Sequence, residues 1–172
     1  MRRSSAWITL EQGAAQYYLG SFPAAETLLR QTAFPLPRMA AYELRRQNLL
    51  ALCCLARDDW QGYRMCVETL ERIGRLFKPQ SSQAGAVALA LELVKLNARE
   101  KDGFDAGDLP RLEELLRQSG NALQQCRLHY ALGLACRAQG RTEDARTHFA
   151  FAAQHGGCTF LARQADAQLS SL

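Results

Sequence analysis

The chain has 172 residues, nearly half of them hydrophobic, with five prolines and a formal net charge of +4. That length supports a real core, and a chain rich in Ala and Leu without Val/Ile/Thr runs predicts an all-α fold. The small positive charge, carried mostly by dispersed arginines, argues against a nucleic-acid-binding protein.

Taken in order, the pattern predicts a first helix over 5–19. Gly20-Ser21-Phe22-Pro23 breaks it, with Ser21 as N-cap and Pro23 near the first turn of a second helix over 24–32. Pro35 and Pro37 stop that helix. A third is expected over 38–57, with Leu44, Leu49, Leu52 and Leu55 on apolar faces. Asp58-Asp59 caps a fourth over 60–77. Ser81 or Ser82 opens a fifth, running to about Glu100. It is apolar nearly all round between Ala84 and Leu96, so it is expected in the middle of the array. After a polar loop over 101–107, Asp108 caps a sixth helix with Pro110 in its first turn, and Ser119-Gly120-Asn121 ends it.

Residues 128–155 are the most informative segment. They read as two amphipathic helices joined at Gln139-Gly140-Arg141. Gly133 and Ala135 supply small residues to the first, Ala145 and Ala152 to the second, and Phe149 lies on the face of the last two. Gly156-Gly157 closes the segment, and a ninth helix over 159–169 follows, with Leu161, Ala165 and Leu169 spaced by four.

A helical hairpin with small residues at its crossing and one aromatic plug resembles the tetratricopeptide repeat (TPR) family. Leu132-Gly133, Gly140, Ala145, Phe149 and Ala152 carry the resemblance in the last hairpin. Gly13, Gly20, Phe22, Ala25 and Pro37 carry it in the first, which departs at Leu29 and Thr32. The second hairpin keeps Leu50-Ala51, Asp58-Asp59 and Trp60 but has Tyr63 where a small residue is usual. The third, 84–120, keeps only the two-helix shape. The resemblance implies a bacterial-type antiparallel hairpin solenoid with a right-handed superhelix of about nine helices. It makes one domain over 1–172, in units 5–37, 38–78, 81–120 and 122–156, with a capping helix over 158–170.

Such repeats build binding surfaces. In the family the first helix of each hairpin lines the concave face. The implied lining is Trp7, Leu10, Ala14 and Tyr17 or Tyr18 from the first unit. The second gives Arg45, Asn48, Leu52 and Leu55, and the fourth Arg127, Tyr130, Leu134 and Arg137. This is an apolar, aromatic groove edged by arginines, suited to a protein or peptide with apolar anchors and carboxylates. Tyr17, Tyr18, Leu52 and Tyr130 fit the core equally well, because a helix in a solenoid buries two faces. The carboxylate clamp of chaperone-binding members is not expected. Its positions match Leu10, Ala14, Asn48 and Leu52, of which only Asn48 is polar.

No catalytic site is expected. His129, His148 and His155 share one hairpin without an acid spaced to orient them, and His148 is expected on the solvent side beside Phe149. GxSxG, phosphate-loop and HExxH motifs do not occur. Asp58-Asp59 and Glu113-Glu114 read as cap and dipole residues. No cofactor is implied. Cys53, Cys54, Cys66, Cys126, Cys136 and Cys158 form no CxxC pair, and are expected to be reduced, small hydrophobes. His155 and Cys158 alone do not complete a tetrahedral metal set.

The most apolar run, 84–91, is about eight residues where a membrane span needs ~20. Met1-Arg2-Arg3 leads into no apolar segment of the secretory type. The chain is expected to be soluble and cytoplasmic without membrane insertion, alone or as the soluble part of a longer anchored protein. An adaptor or scaffold that binds protein is the leading functional expectation. The alternatives are a secretion-type dedicated chaperone, whose known examples are acidic where this chain is basic, and a self-assembling module that forms homodimers.

Overall fold

The computed structural model describes residues 3–105 and 107–172, and the side chains from residue 5 onward. Among the described residues there are nine α-helices and no strand. They are α1 (Arg3–Leu19), α2 (Phe22–Arg30), α3 (Ala40–Ala56), α4 (Trp60–Gly74), α5 (Ser82–Asp102), α6 (Asp108–Gln118), α7 (Ala122–Ala138), α8 (Thr142–His155) and α9 (Phe160–Leu169). No helix is long and apolar enough to cross a membrane.

Local chemistry sets the boundaries. The Asp59 carboxylate accepts the Gly62 N–H at 2.8 Å, which satisfies one of the orphan donors at the start of α4. Ser81, Asn121 and Thr159 do the same for Ala84, Gln124 and Ala162 at 3.2, 3.2 and 3.3 Å. Ser21 occupies the N-cap of α2 but makes no side-chain cap bond. Asp108 is the first residue of α6, behind a Gly107 cap, and its carboxylate accepts the Asp105 N–H at 2.8 Å.

Three of the turns are the same turn. α1, α3 and α7 each end in a residue with positive φ: Gly20 at 88°, Asp58 at 57° and Gly140 at 72°. The N–H of that residue reaches back three residues, to the carbonyl of Tyr17, Leu55 and Arg137 respectively. The next N–H reaches back five, to Gln16, Cys54 and Cys136, at 2.9, 2.9 and 3.0 Å. This is the Schellman arrangement, which satisfies carbonyls the helix end leaves open.

Where the sequence predicts one domain, the described residues form two compact units, 1–98 and 99–172, with the boundary inside α5. The third predicted hairpin, 81–120, therefore falls across both. In the first unit α1 packs on α2, α2 on α3 and α3 on α4, and α1 also touches α3. In the second, α6 packs on α7, α7 on α8 and α8 on α9, and α7 also touches α9. α9 thus covers both members of the hairpin before it, burying Leu161, Ala162 and Ala165.

The two units carry separate cores. Leu10, Leu29, Cys53, Leu70 and Ile73 are fully buried in the first, and Leu112, Leu115, Leu128, Leu132 and Phe149 in the second. The expectation for α5 is corrected. It buries Val87, Ala90 and Val94, while Gly85, Ala86 and Ala88 are exposed. Alanine and glycine offer little apolar area to water, so an Ala-rich outer face costs little.

A buried ion pair ties the first unit together. Glu43, 6% exposed, accepts hydrogen bonds from the Arg46 guanidinium, the Gln47 amide at 2.8 Å and the Phe34 N–H at 3.2 Å. Arg46 also donates to the Leu29 carbonyl of α2 at 3.2 Å. Burial pushes the Glu43 carboxyl up, but these hydrogen bonds outweigh it and leave the group below the ordinary carboxylate value.

Candidate functional site

The residues that the sequence places on one concave lining divide into core and surface. Leu10, Ala14, Tyr17 and Leu55 in the first unit, and Tyr130 in the second, are buried at 0–7% exposure. They are corrected to core positions. Tyr17 packs on Phe22 at 5.7 Å between ring centroids, and Tyr130 on Phe149 at 5.6 Å. The reason is rotational: α1 touches α2 and α3, α3 touches α4, α2 and α1, and α7 touches α8, α6 and α9. Two sides of each are thereby used for packing.

What remains in the first unit is a face formed by α1 and α3. Trp7, 48% exposed, stands four residues before Glu11, and Tyr18 seven after it, so the three share a stripe of α1. Arg45, Asn48 and Leu52 form the matching stripe of α3. A two-pronged pair joins the stripes. Both Arg45 Nη atoms donate to the Glu11 carboxylate, the second at 2.9 Å. Tyr18, half-buried beside this pair, has its phenol pushed up mainly by burial, with Arg45 pulling it down and Glu11 pushing it up. Leu52 is half-buried. The Asn48 side-chain oxygen is buried and receives no hydrogen bond among the described residues.

The second unit repeats the device on α7 and α9. Arg137 donates to the Gln168 side-chain oxygen of α9, across the same kind of helix-to-next-but-one contact. Leu134 is half-buried beside it. Arg127 pairs with Glu100 and lies over the Tyr130 ring at 5.7 Å. Its side chain is 20% exposed, so it is more a packing residue than a surface cation. Glu11 and Gln168 were not legible as partners in the sequence, since each lies more than 30 residues from the arginine it holds.

The histidines are arranged otherwise than the sequence suggests. His148 is half-buried against α7, with its Nδ1 2.9 Å from the Nδ1 of His129. The His129 ring stacks on Phe151 at 3.8 Å, and Phe151 on His155 at 4.2 Å. Burial, then the neighbouring His148 and His155, pushes His129 down to about 4. Burial also lowers His148, against Asp144 and Glu113, which raise it. The two imidazoles meet across α7 and α8, and among the described residues no carboxylate is hydrogen-bonded to either.

Five cysteines are buried and Cys158 is exposed. Glu26, Cys54 and Asp59 bring one ligand-type atom each within 4.8 Å of one another. Each acid is already engaged. Glu26 pairs with Arg30 at 2.7 Å and with Arg57, and Asp59 caps α4. Burial, then Cys66, Asp59 and Glu26, pushes the Cys54 thiol up to about 12, away from the thiolate a metal requires.

Compared with known proteins, the chain matches no family model, no curated protein and no solved structure.

Proposed function

We propose that the chain is a protein-interaction adaptor built from tetratricopeptide-like hairpins, with one peptide- or protein-binding face on α1–α3 of the first unit and another on α7–α9 of the second. Three features support the hairpin reading. α1, α3 and α7 end in one and the same turn. Small residues sit where their hairpins cross, Gly13 against Leu29 and Gly133 against Phe149. The first helix of a hairpin touches the first helix of the next, as α1 does α3 and α7 does α9.

The observation that carries the binding reading is the α1–α3 face itself. A large exposed indole at Trp7 shares this face with an arginine oriented by Glu11. Trp and Arg concentrate interface energy, because flat surfaces and multiple donors lose little entropy on docking. A segment with an apolar anchor for Trp7 and Leu52 and a carboxylate near Arg45 suits this face.

The test is capture of the partner from native lysate with the full chain, followed by peptide mapping of the bound segment. Trp7→Ala and Arg137→Glu should each weaken the captured partner by about 2 kcal/mol or more, with melting curves close to wild type. Exposed polar contacts contribute only about 0–1 kcal/mol to folding. A partner held with unchanged affinity by both variants overturns the reading.

A further inference from the structure

A second surface, on a different side of the first unit, carries its own recognition chemistry. An open groove of about 560 Å³ runs between the end of α4 and α5, bordered by Glu71, Gly74, Arg75, Phe77, Ala84 and Leu91. Its volume lies in the range of ligand pockets, about 300–1,000 Å³. The floor is apolar and continuous with the core. Phe77 and Leu91 pack on the buried cluster of Ala40, Ile73 and Val87. Gly74 lies close over this cluster, and a Cβ there would stand 3.3 Å from Val87 Cγ1.

The rim is positively charged. Four other arginines of this unit are held by a carboxylate: Arg30 and Arg57 by Glu26, Arg45 by Glu11, Arg46 by Glu43. Lys95, on the opposite wall, faces Glu71 at 3.6 Å. Arg72, Arg75 and Lys78 are exposed and form no ion pair among the described residues. The whole net charge of the chain belongs to this unit, with twelve Lys and Arg against eight Asp and Glu over 1–98 and nine against nine over 99–172. The helix dipole accounts for cations near the end of α4. It does not account for an uncovered apolar groove beside them.

We propose that the α4–α5 groove docks an acidic protein segment, whose apolar side chains enter between Phe77, Ala84 and Leu91 while its carboxylates meet Arg72, Arg75 and Lys78. An anionic membrane is the less suitable occupant. A bilayer surface does not fill a concave groove, whereas the apolar side chains of a peptide can enter it. This surface is separate from the α1–α3 face, so either can fail without the other.

The experiment is selection of a random-peptide phage library on the immobilised full chain, with affinities of the recovered peptides read by fluorescence anisotropy. Peptides that combine Asp or Glu with large apolar residues are expected. Their affinity should fall at least tenfold with Arg75→Glu, which removes a rim cation, and with Ala84→Trp, which fills the groove and leaves every charge in place. It should also weaken as NaCl rises from about 50 to about 500 mM, as screening shortens the reach of the rim charges. Arg45→Glu should leave it unchanged. Arg75 is exposed and in no ion pair, so its variant should still fold, with only a small drop in melting temperature from the helix dipole, and tests the groove even where Ala84→Trp unfolds the chain. Recovery of no acidic peptide, or equal binding by Arg75→Glu, overturns the proposal. So does chain binding to phosphatidylserine vesicles that Arg75→Glu abolishes while no peptide binds.

Discussion

Gly133 of α7 faces the Phe149 ring of α8 so closely that a Cβ on residue 133 would stand 2.6 Å from Cε1. In the first hairpin Gly13 faces Leu29 in the same way, with a Cβ at 2.9 Å from the leucine. In both pairs the partner lies sixteen residues on, past a turn whose glycine has positive φ. The large side chain differs, an aromatic in one and a leucine in the other, but the geometry of the crossing is shared.

Two alanine substitutions should therefore destabilise the last hairpin for different reasons. Gly133→Ala pushes a methyl group into a fully buried ring and should cost about 1–3 kcal/mol by overpacking. Gly140→Ala meets no atom within 4 Å, so its cost comes from the backbone, at φ 72°. A left-handed alanine there should cost roughly 1–2 kcal/mol. Phe149→Ala, which removes the ring from the crossing, should reduce the further cost of Gly133→Ala and leave that of Gly140→Ala unchanged. Urea unfolding of the two double variants separates the mechanisms, and rescue of both or of neither would contradict this account.

Neighbouring arginines on α3 should differ sharply in what they contribute. The Arg46–Glu43 side chains are 12% and 8% exposed, and those of Arg45–Glu11 are 47% and 34% exposed. Removing Arg46 leaves Glu43 charged, buried and short of donors, which typically costs about 3–5 kcal/mol. Removing Arg45 should cost about 0–1 kcal/mol. Chemical denaturation of Arg46→Ala and Arg45→Ala measures the difference directly. Equal losses would mean that the Glu43 site is not the tie between α2 and α3 described above.

The histidine pair should make stability depend on pH in one direction. Both His129 and His148 are lowered from 6.5, so the unfolded chain takes up protons more readily than the folded one. Their contribution is intact above pH 6.5. It declines as pH falls from there toward about 4, where His129 protonates in the folded state. Asp144 and Glu113 favour the charged form of His148 and Arg141 opposes it, so the loss is expected to be larger for His129. Melting temperature should drop between pH 7.5 and pH 5 in wild type, and the drop should be smaller in His129→Gln. An identical pH slope in the two proteins would exclude the pair as its source.

The element order was legible in the sequence because helix ends are local events. Asp59 caps the residue three places on, Gly20 and Gly140 supply the left-handed turns, and Pro35 and Pro37 stop what precedes them. Each signal acts within a few residues, so a linear reading finds it. The close crossing in the last hairpin was legible for the same reason, since small residues at helical spacing mark where a neighbour comes near. Only the tertiary structure decided which side of each helix faces outward. Leu10, Tyr17 and Tyr130 and the exposed Trp7 carry the same apolar signal in one dimension. Their fates separate because α1, α3 and α7 each pack against two or more partners, and the angle between those contacts is not written in any local pattern. The pairs that define the candidate surfaces, Glu11 with Arg45 and Gln168 with Arg137, join residues more than 30 positions apart. Charge and hydrogen bonding between helices follow from packing, and packing is settled only when the whole chain has chosen its contacts.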